Sequence, residues 1–290
     1  MADNAPSAPP DLDLGSAAMQ SAPHAVLADL RRSAGPVLWS GRHRAWLVLG
    51  HEAAAAAFKD DRLSSDRMEA FGRVSAAGAR AMESYLTGLL EHYRRHPDDN
   101  LLSALGPLAG STSGLSDREV AGGAMLLLFA GHETTTTLIA NSVWCLLGHP
   151  DQLRRVGSDP ALWSSAIDEL LRYEAPSKVM VRKVGAPTEL AGRRLTPGQT
   201  VFVVIAAANR DDAVFPDPDD LDLGRHPNPH LAFGWGRHHC LGAALARLEA
   251  RVCLSSLFAR FPRLNTTCDA PDWAGGIIGR AVRAVPVSTA

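Results

Sequence analysis

Cys240 stands among residue types that favour a thiolate. In "FGWGRHHCLG" (233–242) it follows two adjacent histidines and two glycines and precedes a helical pattern. A thiol at the first turn of a helix meets unpaired N–H groups and the positive end of the helix dipole, and both favour S⁻ over SH. Such a sulfur can ligate a metal or act as a nucleophile. As a nucleophile it needs a base beside it, and the sequence adjacency of His238 and His239 says little about geometry. As a zinc ligand it would recruit His226, His230 or His238, a set without the paired spacing of zinc motifs. A buried structural cysteine is the third reading and a common fate of the residue. Gly234 and Gly236 let the chain bend before the sulfur, and Gly242 leaves room for a large group near the helix start.

Two further constellations could carry chemistry. "AGHETT" (130–135) places Glu133 and Thr134 inside an apolar run. Threonines there can bond back to the preceding turn and bend the helix, or the acid and hydroxyl can move protons. "ELLR" (169–172) sets Glu169 and Arg172 three residues apart on a helix, a spacing that by itself describes an ordinary solvated pair.

These groups need a scaffold, and 290 residues, 46% hydrophobic and 21% charged, suffice for a substantial core. The net charge of -2 argues against nucleic acid or an anionic membrane as the main partner. Four cysteines without a CxxC pair suggest a reduced, cytoplasmic setting. Residues 1–23, acidic and rich in Pro and Ala, read as a flexible leader, and 24–290 as a single domain. The segment 36–50 reads as a hairpin and 51–60 as a short helix. Apolar residues at three- and four-residue steps give a helix from about 75 to 96. Ser116 and Glu119 form a capping-box pattern that opens a helix closed by Gly148 and Pro150, roughly 45 Å long. Its apolar stretch (120–147) could reach across a bilayer, but His132 and Glu133 near the middle favour a buried helix. Asp159-Pro160 starts another helix ending near Pro176. Residues 177–205 turn to short strands, 209–240 are irregular, and a last helix carries Leu241, Leu245, Leu248 and Val252 on one face. The fold class is mainly α with a small β-sheet.

The loop resembles the haem-binding loop of the cytochrome P450 family. Phe233, Gly234, Gly236, His238, Cys240 and Gly242 match all six fixed positions of that pattern. The resemblance implies haem b with Cys240 as the axial thiolate on iron. It implies that Phe233 packs near the sulfur and that His238 and Arg182, in "VMVRKV", hold haem propionates. "AGHETT" is similar to the family's oxygen-activation motif, which makes Glu133 and Thr134 the proton-delivery pair. "ELLR" matches the family's ExxR, and "FPDPDDLDLGR" (215–225) resembles the segment before the loop, with Leu221 where Phe is usual. That makes Arg225 the third member of a structural triad.

The chain departs from the family pattern in one stretch. Ala130 lies 64 positions after Asp66, where a full-length relative has roughly a hundred more. The resemblance therefore implies a truncated P450 fold with the distal roof helices largely missing. The expected activity is monooxygenation of a small organic substrate with O₂ or peroxide, in secondary-metabolite biosynthesis. A ferredoxin and reductase would supply electrons, and a partner protein or a second copy would cover the distal face. The alternative is an inactive accessory protein supporting an enzyme such as a glycosyltransferase. A zinc- or thiol-dependent hydrolase is a third reading.

Overall fold

The computed structural model describes residues 9, 12–65, 76–108 and 114–289. In chain order it contains α1 (Ala17–Ser21), α2 (Pro23–Ala34), β1 (Val37–Ser40), β2 (Ala45–Val48), α3 (His51–Lys59) and β3 (Leu63–Ser64). Then come α4 (Ala76–Arg95), α5 (Leu101–Leu105), α6 (Asp117–Leu147), α7 (Pro150–Ser158) and α8 (Trp163–Tyr173). Strands β4 (Val179–Val184), β5 (Thr188–Leu190), β6 (Arg193–Leu195) and β7 (Thr200–Val204) follow, then the single turn α9 (Ile205–Ala208). After a long irregular stretch come α10 (Ala243–Arg260), β8 (Asn265–Thr266), β9 (Trp273–Gly275), β10 (Arg280–Val282) and β11 (Val287–Ser288). The described residues thus form a mainly α fold with a small β portion, as the sequence patterns imply.

The chain separates into two compact units, residues 1–66 with 134–290 and residues 67–133. In the larger unit five strands pair in the order β1-β2-β7-β4-β3, with β2 and β7 parallel and the other pairs antiparallel. β1, β2 and β7 bury apolar residues such as Leu38, Leu47 and Val203. Trp46, Ala57, Phe58 and Val201 form one core on this sheet. A second core packs α8 against α10 through Ile167, Leu170, Ala250 and Leu254. In the smaller unit, Leu86 and Leu90 of α4 pack on Val120, Ala121 and Ala124 of α6. The expected capping box opens α6, with the Glu119 carboxylate accepting from Ser116 N–H at 2.8 Å and the Ser116 hydroxyl accepting from Glu119 N–H. No described helix is long and apolar enough to cross a membrane.

One expectation changes. Composition assigned residues 1–23 to a flexible leader, and 1–8, 10 and 11 lie outside the described residues. The rest of it is built in: Leu12, Leu14 and Met19 are buried, and α1 is capped by the Ser16 hydroxyl. Three apolar side chains spaced through a polar segment can still pay for its ordering. On α10 the face of Leu245, Leu248 and Val252 is exposed, while Ala243, Ala250, Leu254 and Phe258 are buried. The chain around 66–75, between the N-terminal sheet region and α4, lies outside the described residues.

Candidate functional site

Glu169 and Arg172, on α8, do not form a solvated pair. Both side chains are fully buried, and Arg172 Nε and Nη2 each donate at 2.8 Å to the two oxygens of Glu169. Arg172 Nη1 donates to the carbonyls of Asn209 and Pro218, and Nη2 also to that of Asp220. Arg225 Nε reaches Glu169 Oε1 at 3.1 Å, and its Nη1 donates to the Pro216 carbonyl. Glu169 also accepts from Asp222 N–H and Asn228 Nδ2. Burial pushes the Arg172 pKa down and its pairing with Glu169 opposes that. A buried ion pair is tolerable only when its remaining donors and acceptors are satisfied, and here they are.

The clamp holds the irregular stretch that delivers the cysteine loop. Leu231 N–H donates to Asn209 Oδ1, Gly234 N–H to the Leu231 carbonyl, and Cys240 N–H to the Phe233 carbonyl at 2.9 Å. Gly234 (φ 69°) and Gly236 (φ 75°) are in the left-handed region, and a Cβ on Gly236 would lie 3.0 Å from the Phe58 carbonyl. Gly242 has an ordinary φ of -84°, and a Cβ there would lie 4.0 Å from the Cys240 sulfur. Cys240 is exposed, three residues ahead of α10.

Phe233 is set by its neighbours. Arg247 lies over its ring at 4.6 Å, and both Arg247 and His230 donate or pair to Asp168, at 2.7 and 3.1 Å. Burial alone would raise the Asp168 pKa, but the bonds from His230 and Arg247 outweigh it and hold the carboxyl low. His230 is thereby engaged, and among the described residues no three His, Cys, Asp or Glu side chains cluster as metal ligands. The zinc reading through His226, His230 and His238 has no ligand set there.

The remaining expected site residues divide between the units. Arg182, on β4, is buried, donates to the Val181 carbonyl and lies 5.2 Å from the Phe58 ring. A Cβ on Gly234 would be 3.9 Å from that ring, so Phe58 neighbours both Arg182 and the cysteine loop. His238 is exposed, with Nε2 3.4 Å from the Ser65 hydroxyl. These residues, with Phe233, Cys240 and Gly242, belong to the larger unit, as does Thr134; Glu133 belongs to the smaller. Glu133 and Thr134 are both exposed on α6, whose α-helix runs through them from Asp117 to Leu147. Sequence reasoning missed Asp168, Arg247, Asn228 and Phe58. Only the Pro-Asn-Pro context of Asn228 hinted at a fixed side chain.

A second buried ionic cluster lies in the larger unit. Glu174 pairs with Arg280 and with His24 at 3.4 Å, and Arg280 donates to the carbonyls of Gln20 and Ser21. Burial would raise the Glu174 pKa, but His24 and Arg280 bring it to about 2. Lys178, buried nearby, has no hydrogen-bond acceptor for Nζ among the described residues, and burial with the charge of Arg280 lowers its pKa to about 8.

The donor set fits a haem. The loop offers one exposed soft sulfur ligand with a side-chain-free position beside it. Arg182 and His238 supply cationic or N–H donors of the type that carboxylates take.

Comparison with known proteins agrees. The cytochrome P450 family matches residues 161–269. The biotin biosynthesis cytochrome P450 of Bacillus subtilis is 42% identical over 195 residues, 67% of this chain and 48% of that protein. The vitamin D(3) 25-hydroxylase of Pseudonocardia autotrophica is 43% identical over 207 residues, 71% of this chain and 49% of that one. The chain spans about half the length of the curated relatives it matches. Among solved structures, P450BioI in complex with a hexadec-9Z-enoic acid ligated acyl carrier protein superposes with a TM-score of 0.82 at 26% identity, over 94% of this chain and 100% of that one. The Bacillus subtilis PksS structure gives 0.85 at 22% identity, over 96% and 99%, a likeness of fold. The buried ExxR clamp, the glycine-bent loop around Cys240 and these relatives together mean that the chain belongs to the cytochrome P450 family, homologous to bacterial members.

Proposed function

We propose that the protein is a haem-thiolate monooxygenase that oxidises a small organic substrate in secondary metabolism. The family assignment implies haem b with a cysteine ligand, and the observation that carries the reading is Cys240, the exposed sulfur on a loop fixed by the clamp. When bound, the haem supplies activation of O₂ and insertion of one oxygen atom into substrate, and a thiolate ligand favours O–O cleavage. Arg182 and His238 would hold the propionates. Phe233, fixed by Arg247 and His230, would pack beside the sulfur, and Gly242 would keep that side free of a Cβ. Glu133 and Thr134 would pass protons from carboxyl and hydroxyl towards the oxygen being reduced. A ferredoxin with its reductase would donate electrons in a cytoplasmic setting.

The same reading includes a shortened distal cover. It is supported by the half-length match to the curated relatives. A partner protein or a second copy would then complete the distal side.

The test is the spectrum of the purified protein, reduced under carbon monoxide. Cysteine-ligated haem gives the red-shifted Soret band of a thiolate carbonyl complex, and Cys240→Ala should abolish it. Survival of the band in that variant would refute the ligand assignment. A colourless protein that resists reconstitution would favour the accessory role.

A further inference from the structure

α10 presents an apolar seam to solvent. Leu245, Leu248 and Val252 are 58, 47 and 54% exposed, and their three- and four-residue spacing continues through Ser255 and Ala259. That is the a/d spacing by which one helix receives another. The opposite face of α10 is already occupied, with Ala250 and Leu254 in the core it shares with α8.

The C-terminal half of the seam opens into a groove of about 1210 Å³. Leu153, Trp163 and Phe258 line it, the last two with rings stacked 6.4 Å apart. Arg154, Arg251 and Arg263 stand around it, none with an ion-pair partner among the described residues, and no Asp or Glu lines it. The neighbouring Arg155 is already paired with Asp222 and takes no part. An apolar seam at heptad spacing selects a helix, and three uncompensated guanidinium groups select carboxylates along its flanks.

We propose that this seam and groove seat an acidic amphipathic helix carried by a separate polypeptide. Its apolar residues would enter the seam at Leu248 and Val252, between small residues at Ser255 and Ala259 that admit close approach. Its Asp or Glu side chains would meet Arg154, Arg251 and Arg263. The site does not depend on haem.

The test uses the full chain and a fluorescent peptide of three heptads, with Leu at a and d and Glu on both flanks. A control peptide carries Lys at the flanking positions. Saturable binding of the Glu peptide is expected, at least tenfold tighter than the Lys peptide. The double variant Arg251→Glu/Arg263→Glu should reverse that preference, and Leu248→Asp should abolish binding of both. Reversal by charge exchange keeps the result independent of any loss of fold in the Leu248 variant. Equal binding of the two peptides would reduce the groove to a nonspecific apolar face and overturn the proposal. So would no binding, or displacement of the Glu peptide only by self-association of the chain in sedimentation.

Discussion

The irregular stretch from Asn209 to Leu231 and the regular helix α10 differ in the opposite sense from their secondary structure. The stretch has no extended helix or strand, yet Asn209, Phe215, Leu221 and Leu223 are buried and its carbonyls are taken by Arg172 and Arg225. α10 satisfies its own backbone and still leaves an apolar face in water. Regularity settles hydrogen bonding within a segment; it does not settle burial of side chains. Order across the site comes from saturating polar groups from outside the segment, which the buried Glu169 network does and the helix does not need.

The contrast can be broken most forcefully at Glu169. Glu169→Gln leaves two guanidinium groups facing a neutral amide in a buried site, and a loss of about 3–5 kcal/mol is expected. Urea unfolding should show it, with faster proteolysis between residues 209 and 232. A loss below about 1 kcal/mol would mean that the clamp does not anchor the stretch.

Lys178 sharpens the comparison from the other side, as a buried charge that lacks the saturation Glu169 has. Its pKa falls from 10.5 to about 8 on folding, so folding disfavours the ammonium form. The resulting penalty is full below pH 8 and is relieved as pH rises towards 10.5. Lys178→Met should therefore stabilise the protein at pH 7 by about 1–3 kcal/mol, with the gain fading by about pH 10. A gain that does not vary with pH would place its cause in packing.

The smallest effect is expected on the exposed seam. Leu248→Asp should change stability by no more than about 0.5 kcal/mol in thermal unfolding, because water already covers half of the side chain. A loss above about 2 kcal/mol would show that the seam is covered within the chain itself.

The sequence made the helices and strands legible because their signals are local. Ser116 with Glu119, Asp159 before Pro160, and the alternating run at 179–184 each act within a few residues. The roles of Glu169, Arg172 and Arg225 became legible only through family resemblance, since an acid and an arginine three apart read by themselves as surface. Asp168, Arg247 and Phe58 were hidden because their meaning lies in contacts across long separations, such as Arg247 over the Phe233 ring. Which face of α10 is buried is not legible in its periodicity for a related reason. Leu245, Leu248 and Val252 form the more apolar stripe, but the fold buries the narrower one of Ala243, Ala250 and Leu254.

The clamp grips main-chain oxygens at Asn209, Pro216, Asp217, Pro218 and Asp220, while the side chains of Pro216, Asp217 and Asp220 are exposed. Carbonyl oxygens are common to every residue type, so the surface lettering of this segment can be rewritten by mutation without releasing its path. Such a segment can acquire new outward-facing chemistry while the loop that carries Cys240 stays where it is.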